Sequence, residues 1–269
     1  MPRITSRQNP RIKALSALLA SSRDRRKAGR CVLEGEHLVN VYCERVGPPE
    51  DVAVCEDVLD RPGILDIVSR LDGDRVLVVP RRLFGELAVL PADVGILALV
   101  PTPQTVLSAP AEFHLLLEDV QDPGNVGSML RSAAAAGVQQ VLLSKGCAFA
   151  WSPKTLRAAQ GAHFLTTVVE NVDLVAWAKA FDAARGRTVG TFVASGRPLY
   201  DCALSGRLAI AVGNEGAGLS HALARACAER ATIPMPGGME SINAAAATAV
   251  VLFECVRQRR SRAKPVRRS

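Results

Sequence analysis

An α/β fold in two domains is what this sequence predicts, the second a mainly parallel sheet with helices on both faces. Three observations carry that expectation. Short apolar runs alternate with stretches of helical period across short connections, which is the pattern of βαβ units. The segment PTPQTVLSAP at 101–110 holds three prolines and no regular period, and it divides the chain into two parts of domain size. Near the C-terminal end, two glycine-rich loops follow successive apolar runs, as a pocket at the carboxyl edge of a parallel sheet requires.

The expected domains are 1–101, a linker at 102–111, a second domain at 112–258 and a basic disordered tail at 259–269. Within the first, residues 10–20 place Ile12, Leu15, Leu18 and Leu19 at helical spacing. The run CVLEGEHLVNVYCERV then reads as a strand passing into a helix. Strands at 51–55, 75–80 and 95–100 and a helix at 59–71 complete the unit. In the second, HLLLEDV is a strand, a helix follows, and VQQVLLS at 138–144 is the next strand. Helices at 152–159 and 173–184 alternate with strands at 164–169 and 188–194. The apolar run 208–212 is a fully buried strand, 231–235 a shorter one, and the alanine-rich run 243–254 a helix with Ser241 as its N-cap.

Composition narrows the function classes. No run approaches membrane-spanning length, and the N-terminus lacks an apolar signal core. The seven cysteines form no C-x-x-C pair and several sit inside apolar runs, which reads as buried thiols in a cytosolic protein. Four scattered histidines have no zinc-ligand spacing, so no metal is expected. The formal net charge is +7, and its distribution says more. Residues 1–30 carry nine Lys/Arg against Asp24, and residues 257–269 carry seven with no acid. Positive charge at both ends suggests an electrostatic footprint for a polyanion, with nucleic acid the better reading than a solvated tail. Aromatics are scarce, so phosphate contact and shape are expected in place of base stacking.

Three separated segments carry chemistry. QDPGNVGSMLRSAAAAGV turns the chain at Pro123–Gly124, where Asn125 can cap the helix and Arg131 falls in its second turn. GNEGAG at 213–218 does not fit G-x-G-x-x-G and comes too late for a dinucleotide fingerprint. Its Glu215 can orient an arginine or amide by charge-assisted hydrogen bonds. MESINAAAATAVVLFE places Ser241 and Asn243 at the mouth of an apolar helix. Taken singly, each has a plain structural explanation: a capped helix with a solvated arginine, an exposed turn carboxylate, ordinary capping.

Together, N-V-G-S-M-L-R at 125–131, LAIAVGNEGAGLS at 208–220 and IPMPGGMESINAAAATAVVLFE at 233–254 resemble the three motifs of the SpoU (TrmH-type) RNA methyltransferases of the SPOUT superfamily. The N-terminal stretch from ITSRQNPRIKAL to CVLEGEHLV is similar to that family's substrate-binding domain, an α/β module like ribosomal protein L30e. The alanine-rich text after Asn243 departs from relatives that carry valine and serine. The resemblance implies a trefoil-knotted C-terminal domain, a homodimer with active sites at the subunit interface, and cytoplasmic RNA as partner. It implies methyl transfer from S-adenosylmethionine to a ribose 2′-hydroxyl, in 23S rRNA or in tRNA. By motif position Arg131 is the principal catalytic residue, supported by Asn125, Glu215, Ser241 and Asn243. The cofactor would lie in loops around Ala194, Gly213, Ile233 and Ile242, with Met235 and Gly238 nearby. Two other readings stay open: a silent RNA-binding assembly factor of the same fold, and a base methyltransferase.

The chemistry constrains the roles. A ribose hydroxyl is a poor nucleophile until its proton leaves, so a developing alkoxide must be stabilised and aligned. No histidine accompanies the three motifs. A guanidinium, with pKa above ~12, is a poor base, so Arg131 is read as an electrostatic stabiliser that also grips a phosphate, with the proton passing to phosphate or water.

Overall fold

The computed structural model describes residues 1–88, 94–103 and 111–263, without the side chains of 262 and 263. Most of the expected linker and residues 264–269 of the expected tail lie outside the described residues. The chain forms two compact units. One is Met1–Gln104 together with Trp151–Phe164, and the other is Thr105–Ala150 with Leu165–Ser269. The excursion 151–164 thus leaves the sequence of the second unit and packs with the first.

Unit 1 runs α1 (Pro10–Ala20), α2 (Ser22–Ala28), β1 (Arg30–Glu34), α3 (Glu36–Arg45), β2 (Asp51–Cys55), α4 (Pro62–Ser69), β3 (Val76–Val79), α5 (Arg81–Leu87) and β4 (Ile96–Pro101). Its four-stranded sheet has the order β1-β4-β2-β3, antiparallel except for β2 with β3. The four leucine and isoleucine positions expected of α1 are all buried. The helix expected at 59–71 begins only at Pro62, whose fixed φ suits a first helical position. The N-terminal cations are less free than their count suggests. Arg3, Arg7, Arg11 and Arg30 pair with Glu56, Glu86, Asp51 and Glu50 of the same unit. Arg25 is buried and donates to the carbonyls of Leu18 and Leu19, closing the end of α1.

Unit 2 holds β5 (Phe113–Leu117), α6 (Pro123–Ala135), β6 (Gln140–Leu143), β7 (Thr167–Val169), α8 (Leu174–Ala183), β8 (Arg187–Phe192), β9 (Arg197–Pro198), β10 (Leu208–Val212), α9 (His221–Ala226), β11 (Glu229–Thr232) and α10 (Ala244–Ala263). The helix between β6 and β7 is α7 (Pro153–Ala159), which belongs to unit 1. The strands form one parallel sheet of order β7-β6-β5-β10-β8-β11-β9. Every residue of β5, β6 and β10 is buried, which is why these runs read as continuously apolar. Strands β8 and β9 are consecutive in the chain, yet β11 lies between them. The link 193–196 therefore crosses β11 closely: the Gly196 N–H donates to Thr232 Oγ1 at 3.0 Å. A Cβ at Gly196 would sit 2.8 Å from the Ala231 carbonyl carbon, so no larger residue fits without a shift.

Several local expectations are corrected. Asp122, not Asn125, caps α6, accepting from the Asn125 N–H, and Arg131 is the ninth helical residue, in the third turn. Asn243, not Ser241, caps α10, accepting from Ala245 and Ala246. The strand expected at 231–235 is Glu229–Thr232, because residues 233–235 leave the sheet towards the helix. The expected disordered tail is helical as far as Ala263. Arg259 anchors that last part, with its guanidinium 4.2 Å from the Phe113 ring centre and donating to the Gly206 carbonyl.

Candidate active site

The carboxyl ends of β8 and β10, the exit of β11 and the start of α10 enclose a cavity in unit 2. Gly213, Ile233, Met235 and Ile242 line it, as does Val193 in place of its neighbour Ala194; Gly238 does not. Glu215 and Ser241 stand in the lining as well. The sequence reading missed Thr191, Phe192, Leu199 and Glu240. Thr191 and Phe192 end an expected strand, so the carboxyl-edge rule could have nominated them. Nothing local marks Leu199, which a crossing of the chain brings there.

The first wall is a locked turn. Asn214 and Gly218 exchange backbone hydrogen bonds at 3.1 and 2.9 Å, and the Asn214 side chain accepts from the N–H groups of Gly216 and Ala217. Its amide nitrogen donates to the Asp119 carbonyl at 2.8 Å, tying the turn to the end of β5. A Cβ on Gly213 would fall 2.1 Å from the Gly218 backbone, so glycine is obligatory there. Gly218 has φ +69, a conformation glycine adopts freely.

Three of the five expected catalytic side chains meet in one chain of hydrogen bonds. Asn243 Nδ2 donates to Asn125 Oδ1 at 3.0 Å, and Asn125 Nδ2 donates to Glu215 Oε1 at 3.0 Å. Glu215 also accepts from the backbone N–H groups of Gln121 and Asp122, each at 3.3 Å. Residues more than a hundred positions apart in sequence are thereby held together at the mouth of the cavity. Burial by itself pushes the Glu215 carboxyl up, but the bonds from Asn125 and the backbone N–H groups outweigh it and hold the pKa below the usual glutamate value. Glu215 is an anion that fastens the three motifs. Arg131 takes no part in these hydrogen bonds; it is exposed on α6 and does not line the cavity.

Sequence comparison identifies the arrangement. A model of the SpoU rRNA methylase family matches residues 112–253, and a model of an MRM3-like substrate-binding domain matches residues 9–98. The chain belongs to the SpoU rRNA methylase family. It is 33% identical to the 23S rRNA (guanosine(2553)-2′-O)-methyltransferase RlmP of Bacillus subtilis, over 94% of this chain and 98% of that one. Among solved structures it is similar to an RNA 2′-O ribose methyltransferase, with TM-score 0.81, 30% identity and coverage of 95% and 98%. The SpoU methyltransferase AviRb of Streptomyces viridochromogenes, solved in complex with AdoMet, matches with TM-score 0.81, 27% identity and coverage of 94% and 100%.

The cavity suits that kind of cofactor. Phe192, Leu199, Ile233 and Met235 supply apolar walls for an aromatic heterocycle. Gly213 and Gly218 contribute backbone to the lining with no side chain over it. Glu215 and Glu240 place carboxylates in the lining, as a cationic ligand favours.

Proposed function

We propose that this protein transfers a methyl group from S-adenosylmethionine to a ribose 2′-hydroxyl of RNA, with 23S rRNA as its substrate class. The observation that carries the reading is the hydrogen-bonded chain Asn243–Asn125–Glu215 beside a cavity lined by Gly213, Ile233, Met235 and Ile242. Those four residues, with Phe192 and Leu199, would hold the cofactor, which when bound supplies an electrophilic methyl on a sulfonium. The protein's own task is then to position the hydroxyl and stabilise its alkoxide. Asn125 and Asn243 are oriented by Glu215 and by one another, so their amides present fixed dipoles at no reorganisation cost.

Arg131 is assigned to the alkoxide and the adjacent phosphate, and it reaches the site from a second copy of the chain. Its exposure supports this, as does the outer face of α10, which packs against α6. There Ala246 and Phe253 are exposed at helical spacing with Val250 partly so, an apolar row suited to a homodimer contact. The proposed knot in unit 2 is supported by the passage of β11 between β8 and β9 under a link of four residues. The mixed four-stranded sheet of unit 1 supports its reading as an L30e-like RNA-binding module.

Incubation with labelled S-adenosylmethionine and rRNA, followed by nuclease mapping, tests the proposal. The expected product is a 2′-O-methyl nucleotide; label on a base, or none, overturns it. Arg131→Ala should lower turnover by about 10²-fold or more with cofactor affinity retained. Arg131→Lys at full activity would remove the role of guanidinium geometry.

A further inference from the structure

Unit 1 sorts its cations between the two edges of its sheet. Beside β3 they are neutralised. Arg3 forms a backbone bridge to Val78 and pairs with Glu56 at 2.7 Å. Arg75, directly before that strand, and Arg81, two residues after it, pair with Asp72 at 3.5 Å and Asp57 at 3.2 Å. The opposite edge is β1, on which both α2 and α7 pack. Arg30, on β1 itself, is paired with Glu50. Arg23 and Lys27 of α2 and Lys154 and Arg157 of α7 are exposed, and none makes an ion pair among the described residues. Asp24 is the one acid in the sequence of those two helices.

Helix α7 is the informative member. Its sequence lies inside the stretch matched by the methylase model, between β6 and β7, yet it is built into the other unit. Its buried side is Thr155, Leu156 and Ala159. The following turn is fastened by Phe164, edge-on to Tyr42 with ring centres 5.2 Å apart. Gly161, at φ +87, passes so close to Val41 that a Cβ would lie 2.8 Å from it. Lys154 and Arg157, three residues apart, therefore share the outward face of a firmly seated helix.

We propose that α7 and α2 together form a phosphate-binding face for the sugar–phosphate backbone of the RNA, so that the methylase sequence itself supplies part of the substrate-binding surface. This rests on the reading of the protein as an RNA methyltransferase. Unpaired like charges at neighbouring helical positions, Lys154 with Arg157 and Arg23 with Lys27, repel one another and gain most from an external polyanion. None of the large exposed hydrophobic residues lies on α2 or α7, so the face has the chemistry of a phosphate contact and lacks that of a protein or lipid docking site.

Binding of the full-length protein to a fluorescein-labelled RNA hairpin, measured by anisotropy across a salt series, tests the inference. Each double variant, Lys154→Gln with Arg157→Gln and Arg23→Gln with Lys27→Gln, should bind roughly tenfold more weakly near physiological salt. Each should lower the slope of log affinity against log salt by about 2, one per lost phosphate contact. The control, Arg75→Gln with Arg81→Gln, should stay within about twofold of wild type, because those cations are already paired. Thermal unfolding followed by circular dichroism should match wild type in the α7 and α2 variants, which shows that they are folded, and calorimetric binding of S-adenosylmethionine should be unchanged because the cavity lies in unit 2. An α7 variant with wild-type affinity and slope overturns the proposal, as does an equal loss in the control. A wild-type protein that binds RNA with these slopes but moves no methyl group defeats the enzymatic reading alone.

Discussion

The two glycine-rich turns flanking the cavity differ in construction. The turn at 213–218 is tied by backbone and side-chain bonds on every side, and its first glycine has no room for a methyl group. The bend at 236–240 is nearly bare. Its one backbone bond among the described residues, from the Gly238 N–H to the Met235 carbonyl, is 3.3 Å long, and a Cβ on Gly237 or Gly238 would meet nothing within 4 Å. Met239 is 69% exposed, which leaves this wall without packing to hold it. One wall is thus preorganised, and the other is held by few contacts.

Substitutions rank the two walls. Gly213→Ala should have the largest effect, on the order of 3 kcal/mol of stability and loss of cofactor binding, since backbone must move to admit the methyl group; differential scanning calorimetry and titration check both. Asn243→Ala removes the cap of α10 and one link of the amide chain, costing about 1 kcal/mol by denaturant unfolding. Glu215→Gln separates charge from shape. Because the Glu215 pKa is held below its ordinary value of about 4.3, the stability it contributes is present above that pH and is lost as the pH falls through the lower folded value. Melting temperatures of wild type and variant should therefore converge on acidification; a constant gap down to the acid transition would show that the carboxylate is not preferentially stabilised. Gly238→Ala, at φ +77, should cost about 1 kcal/mol through backbone strain alone. Gly237→Ala should fall within about 0.5 kcal/mol of wild type. Equal losses at Gly213 and Gly237 would erase the contrast between the walls.

A cation footprint shows the same division between text and structure. The nine basic residues of 1–30 are plain in the sequence, but the pairing of four of them with acids between residues 50 and 86 is not. The unpaired set joins Arg23 and Lys27 to Lys154 and Arg157, which sequence order places in the other domain.

What the sequence determined by itself is the alternation of elements, the buried strands and the grouping of polar residues in three segments. Those depend on periodicity and turn chemistry within a few neighbouring residues. Even locally, competition decided between adequate caps: Asp122 prevailed over Asn125, and Asn243 over Ser241, since each neighbour could serve and only helix placement chose between them. Tertiary structure alone decided that β11 enters between β8 and β9, that 151–164 joins unit 1, and that Leu199 lines the cavity. It also left Arg131 outside the cavity of its own chain. Strand order and cavity walls depend on which apolar faces bury one another over long separations, and that information is not contained in any short window of the chain.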